Sequence, residues 1–327
     1  MSEHPIIPDY LAYIKKSFAH VNAKRLHVVI DCGNGVAALV AKQALEFLGC
    51  QVTGLYCDLD GRFPNHHPDP TVLENLDDLI QAVKQHKADV GIGYDGDADR
   101  IGAIDEEGKV MWGDRLMVVY AREILAAKPG STIISEVKSS QSLYDDIAKR
   151  GGRPIMWKTG HSLIKTKMKS EQALLAGEMS GHMFFADRYF GYDDAIYASC
   201  RLVEILAKST RPLSALVADL PNTSVTPEIR VDVSDSVKFE LVTHVQDRLA
   251  HCAKTHELLG PDKLVVRDVV TIDGVRAIFD DGWGLIRASN TQPALVLRFE
   301  AISPERLATI RAVIERELTL AKQVLGC

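Results

Sequence analysis

The stretch HVVIDCGNG, residues 27–35, begins with a short apolar strand, HVVID (27–31), and ends in a glycine-containing turn. A helical pattern follows through Leu48. Two further strand patterns, QVTGLYCDLD (51–60) and ADVGIGYD (88–95), lie on either side of an amphipathic helical pattern at 71–86. Strands that alternate with helices are typical of α/β domains with a mostly parallel sheet. The first part of the chain is therefore predicted to be α/β.

A weaker second copy of this pattern follows. It consists of a strand, a helix, a strand and an apolar segment, in the order STIISEV (131–137), 141–150, RPIMW (153–157) and ALLAGEMSGH (173–182). In each copy a strand runs into a glycine-containing loop with carboxylates, namely Asp95 and Asp97 in the first and Glu178 in the second. This indicates an internal repeat of one α/β unit.

After a proline-containing linker at 211–227 the pattern changes to a strand, a helix, several strands and a last helix. Ser303 and Pro304 form a good start for that last helix, as its cap and its first-turn proline. We therefore predict two similar mixed-sheet α/β domains followed by a smaller α+β domain with an antiparallel sheet. The predicted boundaries are 8–108, 109–221 and 225–327.

Composition limits the class of protein. The 327 residues are 46% hydrophobic and 25% charged, which is ordinary for a globular protein of two or three domains. A net charge of −6 argues against nucleic acid or an anionic membrane as the main partner, so an anionic ligand needs a local basic pocket. The six cysteines show no paired spacing and the N-terminus shows no apolar signal core. We expect reduced thiols and a cytoplasmic protein.

Three alternating aspartates, Asp95, Asp97 and Asp99, stand directly before Arg100. A solvated turn is the simplest interpretation, but a cation relieves the repulsion of three carboxylates better, and hard oxygen ligands favour Mg²⁺ or Ca²⁺. An EF-hand is excluded because Arg100 stands where that loop needs glycine, although Glu106 fits its last position. A phosphatase with Asp95 as nucleophile and Asp97 as acid/base is a further alternative.

Gly33 and Gly35, with Ala38 and the later Asp58, match the dinucleotide-binding fingerprint on paper. We favour the simpler explanation that small residues let the helix pack closely on the sheet.

Other polar segments are candidates for an anion or sugar site. Lys158 to His161, with the lysines that follow, forms a basic stretch after a strand, and Lys138 ends an equivalent strand. Glu178, Ser180 and His182 lie within one glycine-flexed loop that suits sugar hydroxyls, although it also suits a plain polar turn. The segment RASNTQP, which joins two strands, is either a hairpin loop or a phosphate cradle.

Taken together and in this order, FPNHHPDPTVLENL, GYDGDADR, KTGHSLIK, GEMSGHMFF and RASNTQPALVLRFE resemble the α-D-phosphohexomutase family, and closely its phosphomannomutase/phosphoglucomutase branch. The resemblance implies interconversion of hexose 1-phosphates and 6-phosphates through a hexose 1,6-bisphosphate, with Mg²⁺. It implies that Asp95, Asp97 and Asp99 bind the metal. The remaining implied site residues are Arg100 and Lys138 for the transferring phosphoryl group, His161 and His182 as pocket groups, His182 also for proton transfer, Glu178 and Ser180 for sugar hydroxyls, and Arg287, Ala288, Ser289, Asn290 and Thr291 for the other phosphate.

One departure from the family concerns the nucleophile. The family's phosphoserine loop, of the type Thr-Ala-Ser-His-Asn-Pro, has no match in these residues, and the chain begins where the family's second domain would begin. We expect a protein that binds Mg²⁺ and hexose phosphates but turns over poorly alone, with the missing phosphoserine domain as a potential partner. The alternatives are a non-catalytic sugar-phosphate-binding protein, half of a split mutase, an NAD(P)-dependent oxidoreductase and an aspartate-nucleophile phosphatase.

Overall fold

The computed structural model describes residues 4–326, so the last residue of the predicted third domain, Cys327, lies outside the described residues. The chain divides into two compact units: the residues up to Met156 with Gly160–Leu220, and Trp157–Thr159 with the residues from Pro221 onward. No helix within residues 4–326 combines the length and the apolar character needed to cross a membrane. The three-domain division stays a prediction.

The helices and strands are numbered in chain order. The helices are α1 (Ile6–Ser17), α2 (Ala41–Glu46), α3 (Asp77–His86), α4 (Gly113–Ala127), α5 (Gln141–Lys149), α6 (His161–Glu171), α7 (Ala195–Lys208), α8 (Lys238–Thr255) and α9 (Pro304–Leu325). The strands are β1 (His27–Asp31), β2 (Gln51–Leu55), β3 (Val90–Tyr94), β4 (Ile101–Asp105), β5 (Val110–Met111), β6 (Thr132–Glu136), β7 (Arg153–Trp157), β8 (Leu175–Gly177), β9 (Met183–Phe185), β10 (Ser224–Val225), β11 (Ile229–Asp232), β12 (Leu258–Leu259), β13 (Leu264–Val265), β14 (Asp268–Val270), β15 (Val275–Phe279), β16 (Gly282–Ala288) and β17 (Ala294–Ala301).

The first unit contains two mixed sheets with corresponding strand orders, β2-β1-β3-β4-β5 and β7-β6-β8-β9. In the first sheet β1 pairs in parallel with β2 and β3, whereas β4 runs antiparallel to β3. In the second sheet β8 is parallel to β6 and antiparallel to β9. The matching orders are those that the internal repeat predicts. In both sheets a parallel strand, β3 or β8, leads through a loop into an antiparallel partner.

Several elements are shorter than their sequence patterns. The predicted strand 51–60 ends at Leu55, because Tyr56 takes a left-handed backbone conformation with φ of 51°. The helical pattern after Gly35 divides into a 3₁₀ turn at Val36–Leu39 and the short α2. The helix expected at 71–86 is α-helical only over α3, which follows a 3₁₀ turn.

One continuous buried core runs through both sheets of the first unit. It includes Ile30 and Ile92 from the first sheet, Phe185 from the second, and Met117 from α4. Full burial of one such side chain contributes about 1.5–3 kcal/mol. The hydroxyl of Tyr94, at the end of β3, donates to Ser199 Oγ on α7 at 2.9 Å, so polar as well as apolar contacts connect the two repeats.

A buried ion network fixes α7 in this unit. Arg201 has a fully buried side chain and donates to Asp187 Oδ2 at 3.0 Å and to Glu123 Oε2 at 2.8 Å. Its guanidinium also lies over the ring of Phe185, 4.7 Å from the centroid. The fully buried carboxylate of Glu204 pairs with Arg188 at 2.6 Å. These charges are taken from water, so each depends on its partners.

The second unit is built on an antiparallel sheet with the order β10-β17-β16-β15-β14, and β11 also pairs with β17. Side chains from α8 and α9 join the sheet in a separate buried core that includes Leu249, Phe299 and Ile314. The Ser303 hydroxyl accepts the Arg306 N–H at the start of α9, and Pro304 is its first residue, as the sequence predicts. The predicted fold class is therefore confirmed.

Candidate functional site

The aspartate loop is a tight connection between β3 and β4, whose residues Tyr94 and Ile101 pair directly. The Asp95 carboxylate folds back onto the loop. Its Oδ1 accepts the N–H groups of Asp99 and Arg100, both at 3.0 Å, and its Oδ2 pairs with Arg100 Nε at 2.8 Å. Ala98 completes the turn with a φ of 62°. The hairpin therefore holds the aspartates close together.

The three carboxylates of Asp95, Asp97 and Asp99 each offer one oxygen, and these oxygens lie within 4.8 Å of one another. Asp95 is buried, Asp99 is partly buried and Asp97 is exposed. Burial raises the pKa of Asp95 to about 6 even though Arg100 opposes this. Clustered carboxylate oxygens, open to solvent on one side, are a donor set that fits Mg²⁺.

Arg100 connects this loop to the segment FPNHHPDP. Its Nη1 lies 3.0 Å from the Asp69 carboxylate, while its Nε is paired with Asp95. Two carboxylates thus fix the orientation of the guanidinium. Positive charge that is held in place in this way suits an anionic group bound beside it.

The second loop, at residues 178–182, connects β8 to β9. The ring of His182 has three partners: Nδ1 lies 2.8 Å from Ser180 Oγ and 3.3 Å from Glu178 Oε2, and Nε2 lies 3.3 Å from Asp99 Oδ1. Burial opposes protonation, but the hydrogen bonds to Asp99 and Glu178 prevail and raise the pKa of His182 to about 9. The histidine therefore holds its proton at neutral pH.

The two loops are joined through their backbones. The N–H of Ile101 donates to Gly181 O at 3.1 Å, and Arg100 forms an isolated antiparallel bridge with His182. Gly181 has a φ of 98°, and a Cβ on it would lie 2.4 Å from Ile101 O. Only glycine allows this approach. The carboxylate cluster and the His182 group therefore form one site.

Lys138 follows β6 and is almost completely buried, with its Nζ 3.5 Å from Glu136 Oε1. The same Glu136 oxygen accepts the Met179 N–H at 2.8 Å. Glu136 thereby connects Lys138 to the loop that carries Glu178 and Ser180.

His161, the first residue of α6, stacks on His182 with the ring centroids 5.7 Å apart. Its Nδ1 lies 3.5 Å from Asp193 Oδ2, and Lys165 also pairs with Asp193 at 2.9 Å. Glu178 accepts the Gly160 N–H at 2.7 Å, which fixes the start of α6 against the second loop. The part of the basic stretch around His161 therefore belongs to this site.

The segment 287–291 lies in the second unit, between β16 and β17, and is described there by itself. Arg287 and Ala288 are buried at the end of β16, and the Arg287 Nε pairs with Asp273 at 2.9 Å. Ser289 is buried and its Oγ accepts the Thr291 and Gln292 N–H groups, whereas Asn290 and Thr291 are exposed. Lys238 donates to Ser289 O at 2.7 Å and supports the turn.

Glycine at position 35 has a structural reason. A Cβ there would lie 2.7 Å from Gly96 O, and the next residue, Val36, donates its N–H to that same oxygen at 3.0 Å. The small residue lets the turn after β1 pack against the aspartate loop. Close packing thus explains the small residue, but the contact is with the aspartate loop and not, as predicted, between the helix and the sheet.

Sequence reasoning did not single out four residues that hold these groups. Asp69 pairs with Arg100, Glu136 with Lys138, Asp193 with His161 and Lys165, and Asp273 with Arg287. Each is far in sequence from its partner, except Glu136. Of these four, only Asp69 could have been identified from the sequence, because it lies in FPNHHPDPTVLENL, one of the segments that carry the family resemblance.

Comparisons with known proteins cover most of the chain. The family models described as phosphoglucomutase/phosphomannomutase domain II, domain III and C-terminal domain match residues 8–108, 112–224 and 228–317. A protein of Pseudomonas putida named phosphomannomutase/phosphoglucomutase is 48% identical over 307 residues, which are 94% of this chain and 64% of the relative. The chain thus spans about two thirds of the length of such relatives.

Solved structures agree. A phosphoglucomutase/phosphomannomutase family protein from Burkholderia thailandensis is 42% identical, with a TM-score of 0.86 over 98% of this chain and 66% of that one. The N-acetylphosphoglucosamine mutase of Aspergillus fumigatus, solved with GlcNAc-6P and magnesium, shares the fold with a TM-score of 0.66 at 16% identity, over 95% of this chain and 65% of that one. This chain belongs to the phosphoglucomutase/phosphomannomutase family.

Proposed function

We propose that this chain forms the metal-, sugar- and phosphate-binding part of a phosphomannomutase/phosphoglucomutase, which interconverts hexose 1-phosphate and hexose 6-phosphate through a hexose 1,6-bisphosphate. The observation that carries the proposal is the Ile101–Gly181 backbone hydrogen bond, which joins a three-carboxylate cluster to a loop with an acid, a hydroxyl and a histidine. The name and the 48% identity of the Pseudomonas putida relative support the same function.

Asp95, Asp97 and Asp99 would hold Mg²⁺, as their donor chemistry allows. When bound, Mg²⁺ supplies positive charge that stabilises a transferring phosphoryl group. Arg100 and Lys138 add fixed positive charge beside it. His182 holds a proton that it can give to a sugar oxygen or take back, and the Glu178 carboxylate with the Ser180 hydroxyl orients the sugar hydroxyls. His161, stacked on His182, limits the positions that this ring can take.

Arg287, Ala288, Ser289, Asn290 and Thr291 are proposed to bind the phosphate that is not reacting. Arg287 supplies the charge, and the exposed turn supplies the Asn290 N–H and the Thr291 hydroxyl. If this phosphate is bound in either orientation of the sugar, the same bisphosphate can take part in two successive phosphoryl transfers.

Turnover needs a phosphoryl donor, and no segment of these 327 residues resembles the family's phosphoserine loop. We propose that the chain by itself binds Mg²⁺ and hexose phosphates without appreciable turnover. A coupled assay with mannose 1-phosphate or glucose 1-phosphate, Mg²⁺ and hexose 1,6-bisphosphate tests this, with calorimetry for binding. Turnover by the chain alone would show that its nucleophile lies within these residues. Failure of a separately supplied phosphoserine domain to restore activity would favour a non-catalytic binding protein.

The Asp97→Asn variant tests the metal site with little risk to the fold, because Asp97 is exposed. Loss of one of three clustered charges is expected to lower the Mg²⁺ affinity at least about tenfold, which corresponds to ~1.4 kcal/mol. Calorimetric titration with Mg²⁺ alone gives the affinity. Asp145→Asn, on the exposed face of α5, is the matched control and should bind as the unaltered chain does. Equal affinities in both variants would exclude this cluster as the metal site.

Arg287→Ala is expected to weaken the binding of glucose 6-phosphate about 10- to 100-fold, since a hydrogen bond to a charged group contributes ~1.5–3 kcal/mol. Arg287→Lys keeps the charge and loses the planar fork, so its affinity should lie between. Arg267→Ala removes an exposed arginine paired with Asp280 in the same unit and serves as control. Circular dichroism confirms the fold of each variant. Unchanged affinity in a folded Arg287→Ala protein would contradict the assigned phosphate role.

A further inference from the structure

Two thiols lie next to each other at the edge of the first sheet, outside the site described above. Cys32 directly follows β1, Cys57 lies two residues after β2, and the last residues of these strands, Asp31 and Leu55, are paired in register. Their sulfur atoms are 3.3 Å apart. The ends of two paired strands thus bring the two sulfur atoms together.

The two thiols differ in accessibility. Cys32 is fully buried, whereas Cys57 is only partly buried. A side chain on Gly54 would place its Cβ 2.7 Å from the Cys57 sulfur, so the absence of one leaves the space in which that sulfur sits. The sulfur of Cys57 is therefore held against Cys32, in a residue that is only partly buried.

The surroundings also make Cys57 the more reactive thiol. The hydrogen bond from Cys32 lowers the pKa of Cys57, although burial and the charge of Asp31 oppose this, and the same bond together with burial raises the pKa of Cys32. Reactive cysteines are accessible, have a lowered pKa and lie next to a second cysteine that can resolve the oxidised form. Cys50 and Cys200, by contrast, are buried and burial raises their pKa.

We propose that Cys57 and Cys32 form a peroxide-sensitive dithiol, in which Cys57 is oxidised first and Cys32 closes a reversible disulfide. The Cys57 thiolate attacks one oxygen of hydrogen peroxide and the O–O bond breaks. Hydroxide leaves, and Cys57 is converted to a sulfenic acid. The Cys32 sulfur then attacks the Cys57 sulfur, the S–O bond breaks, and the departing hydroxide takes the Cys32 proton and leaves as water. The two sulfur atoms lose two electrons in total, and peroxide gains them.

Two backbone hydrogen bonds connect the segment after Cys32 to the aspartate loop. Cys32 O accepts the Gly35 N–H at 2.7 Å, and the next residue, Val36, donates to Gly96 O at 3.0 Å.

The sulfur atoms need to approach by little more than ~1 Å to reach the S–S bond length of about 2.05 Å. A bond of this kind can form without unfolding the sheet, so oxidation and reduction should be reversible on the folded chain.

The test is peptide-resolved differential alkylation of the folded, reduced chain after graded additions of hydrogen peroxide. Cys32 and Cys57 are expected to become protected together, to appear as one cross-linked peptide pair, and to return to thiols on addition of dithiothreitol. Cys50, Cys200 and Cys252 serve as internal controls, and the Cys327 peptide is followed separately. Protection of Cys57 no faster than that of Cys50, or oxidation of Cys57 without a link to Cys32, would overturn the proposal.

Two variants separate the assigned roles. In Cys32→Ser, Cys57 should still react with peroxide but proceed to sulfinic acid that dithiothreitol does not reverse. In Cys57→Ser, Cys32 should stay reduced, because it is fully buried. Cys50→Ser is the matched control and should oxidise as the unaltered chain does. Rapid oxidation of Cys32 in a folded Cys57→Ser protein would refute the order of events, and thermal unfolding of each variant verifies the fold.

Discussion

Replacement of Arg201 by alanine is expected to destabilise the first unit by about 3–5 kcal/mol, the usual cost of removing one partner from a buried ion pair. The side chain is fully buried and donates to Asp187 and Glu123, and its Nε lies 3.6 Å from the equally buried Glu204. Alanine leaves these carboxylates with fewer cations, and it also removes the guanidinium from the face of Phe185.

Hydrogen exchange of peptides from α7, followed in denaturant, gives the opening free energy of this unit by itself. Arg62→Ala is the matched control in the same unit, because Arg62 also binds an aspartate, Asp60, but is 88% exposed in its side chain. Exposed pairs contribute about 0–1 kcal/mol. Arg201→Lys should be intermediate. Similar losses in Arg201→Ala and Arg62→Ala would contradict a stabilising role of the buried network.

The same network makes the stability of the first unit depend on pH. Burial opposes ionisation of Glu204, but hydrogen bonds from Arg188, Lys208 and His20 lower its pKa to about 2. The unfolded value is about 4.3, so this contribution is complete above that pH and is lost as the pH falls through about 2. As the pH is lowered between these values, the midpoint temperature of thermal unfolding should fall less steeply in Glu204→Gln than in the unaltered chain. Parallel curves would show that Glu204 titrates normally.

The second large effect is expected for Gly181→Ala, which should destabilise the first unit by about 3 kcal/mol and weaken Mg²⁺ binding at least about tenfold. Alanine at a φ of 98° is strained, and its Cβ would meet the Ile101 carbonyl oxygen at 2.4 Å. The loop has to move away, which breaks the Ile101–Gly181 hydrogen bond and separates His182 from Asp99.

Gly191→Ala separates the backbone strain from the clash. Gly191 has a similar φ of 82°, but its added Cβ would be 3.7 Å from the nearest atom, which is an ordinary contact. It should lose only about 1–2 kcal/mol and keep its Mg²⁺ affinity. Calorimetry with Mg²⁺ and thermal unfolding give both quantities. Equal losses of affinity in the two variants would show that the contact with Ile101 does not hold the metal site together.

Local signals in the sequence predicted much of the fold. The strand pattern at 27–31 is β1 to the residue, and the Ser303–Pro304 signal is where α9 begins. Those features depend on residues that are neighbours in sequence. The sequence predicts one helix after Gly35, but a non-helical backbone at Val40, with a φ of −139°, separates a 3₁₀ turn from a short helix.

The candidate site likewise combines features that neighbouring residues determine with contacts that form only on folding. The aspartates at 95, 97 and 99 form a cluster because they share one tight hairpin, so their spacing predicted it. The partners Asp193 and Asp273 could not be predicted, since no pattern marks a carboxylate that meets its cation only after folding. The bond between Ile101 and Gly181 is of this kind as well.

The continuous core through both sheets of the first unit has a consequence for modularity. A duplicated α/β unit suggests two parts that could be cut and exchanged. Yet Tyr94 of the first copy shares a buried hydrogen bond with Ser199 on α7, which follows the second copy, and Ile92 and Phe185 belong to one core. A fragment that ends between the copies would leave this apolar surface bare and prone to aggregate. Chimeras between relatives should therefore exchange both copies as a single cassette.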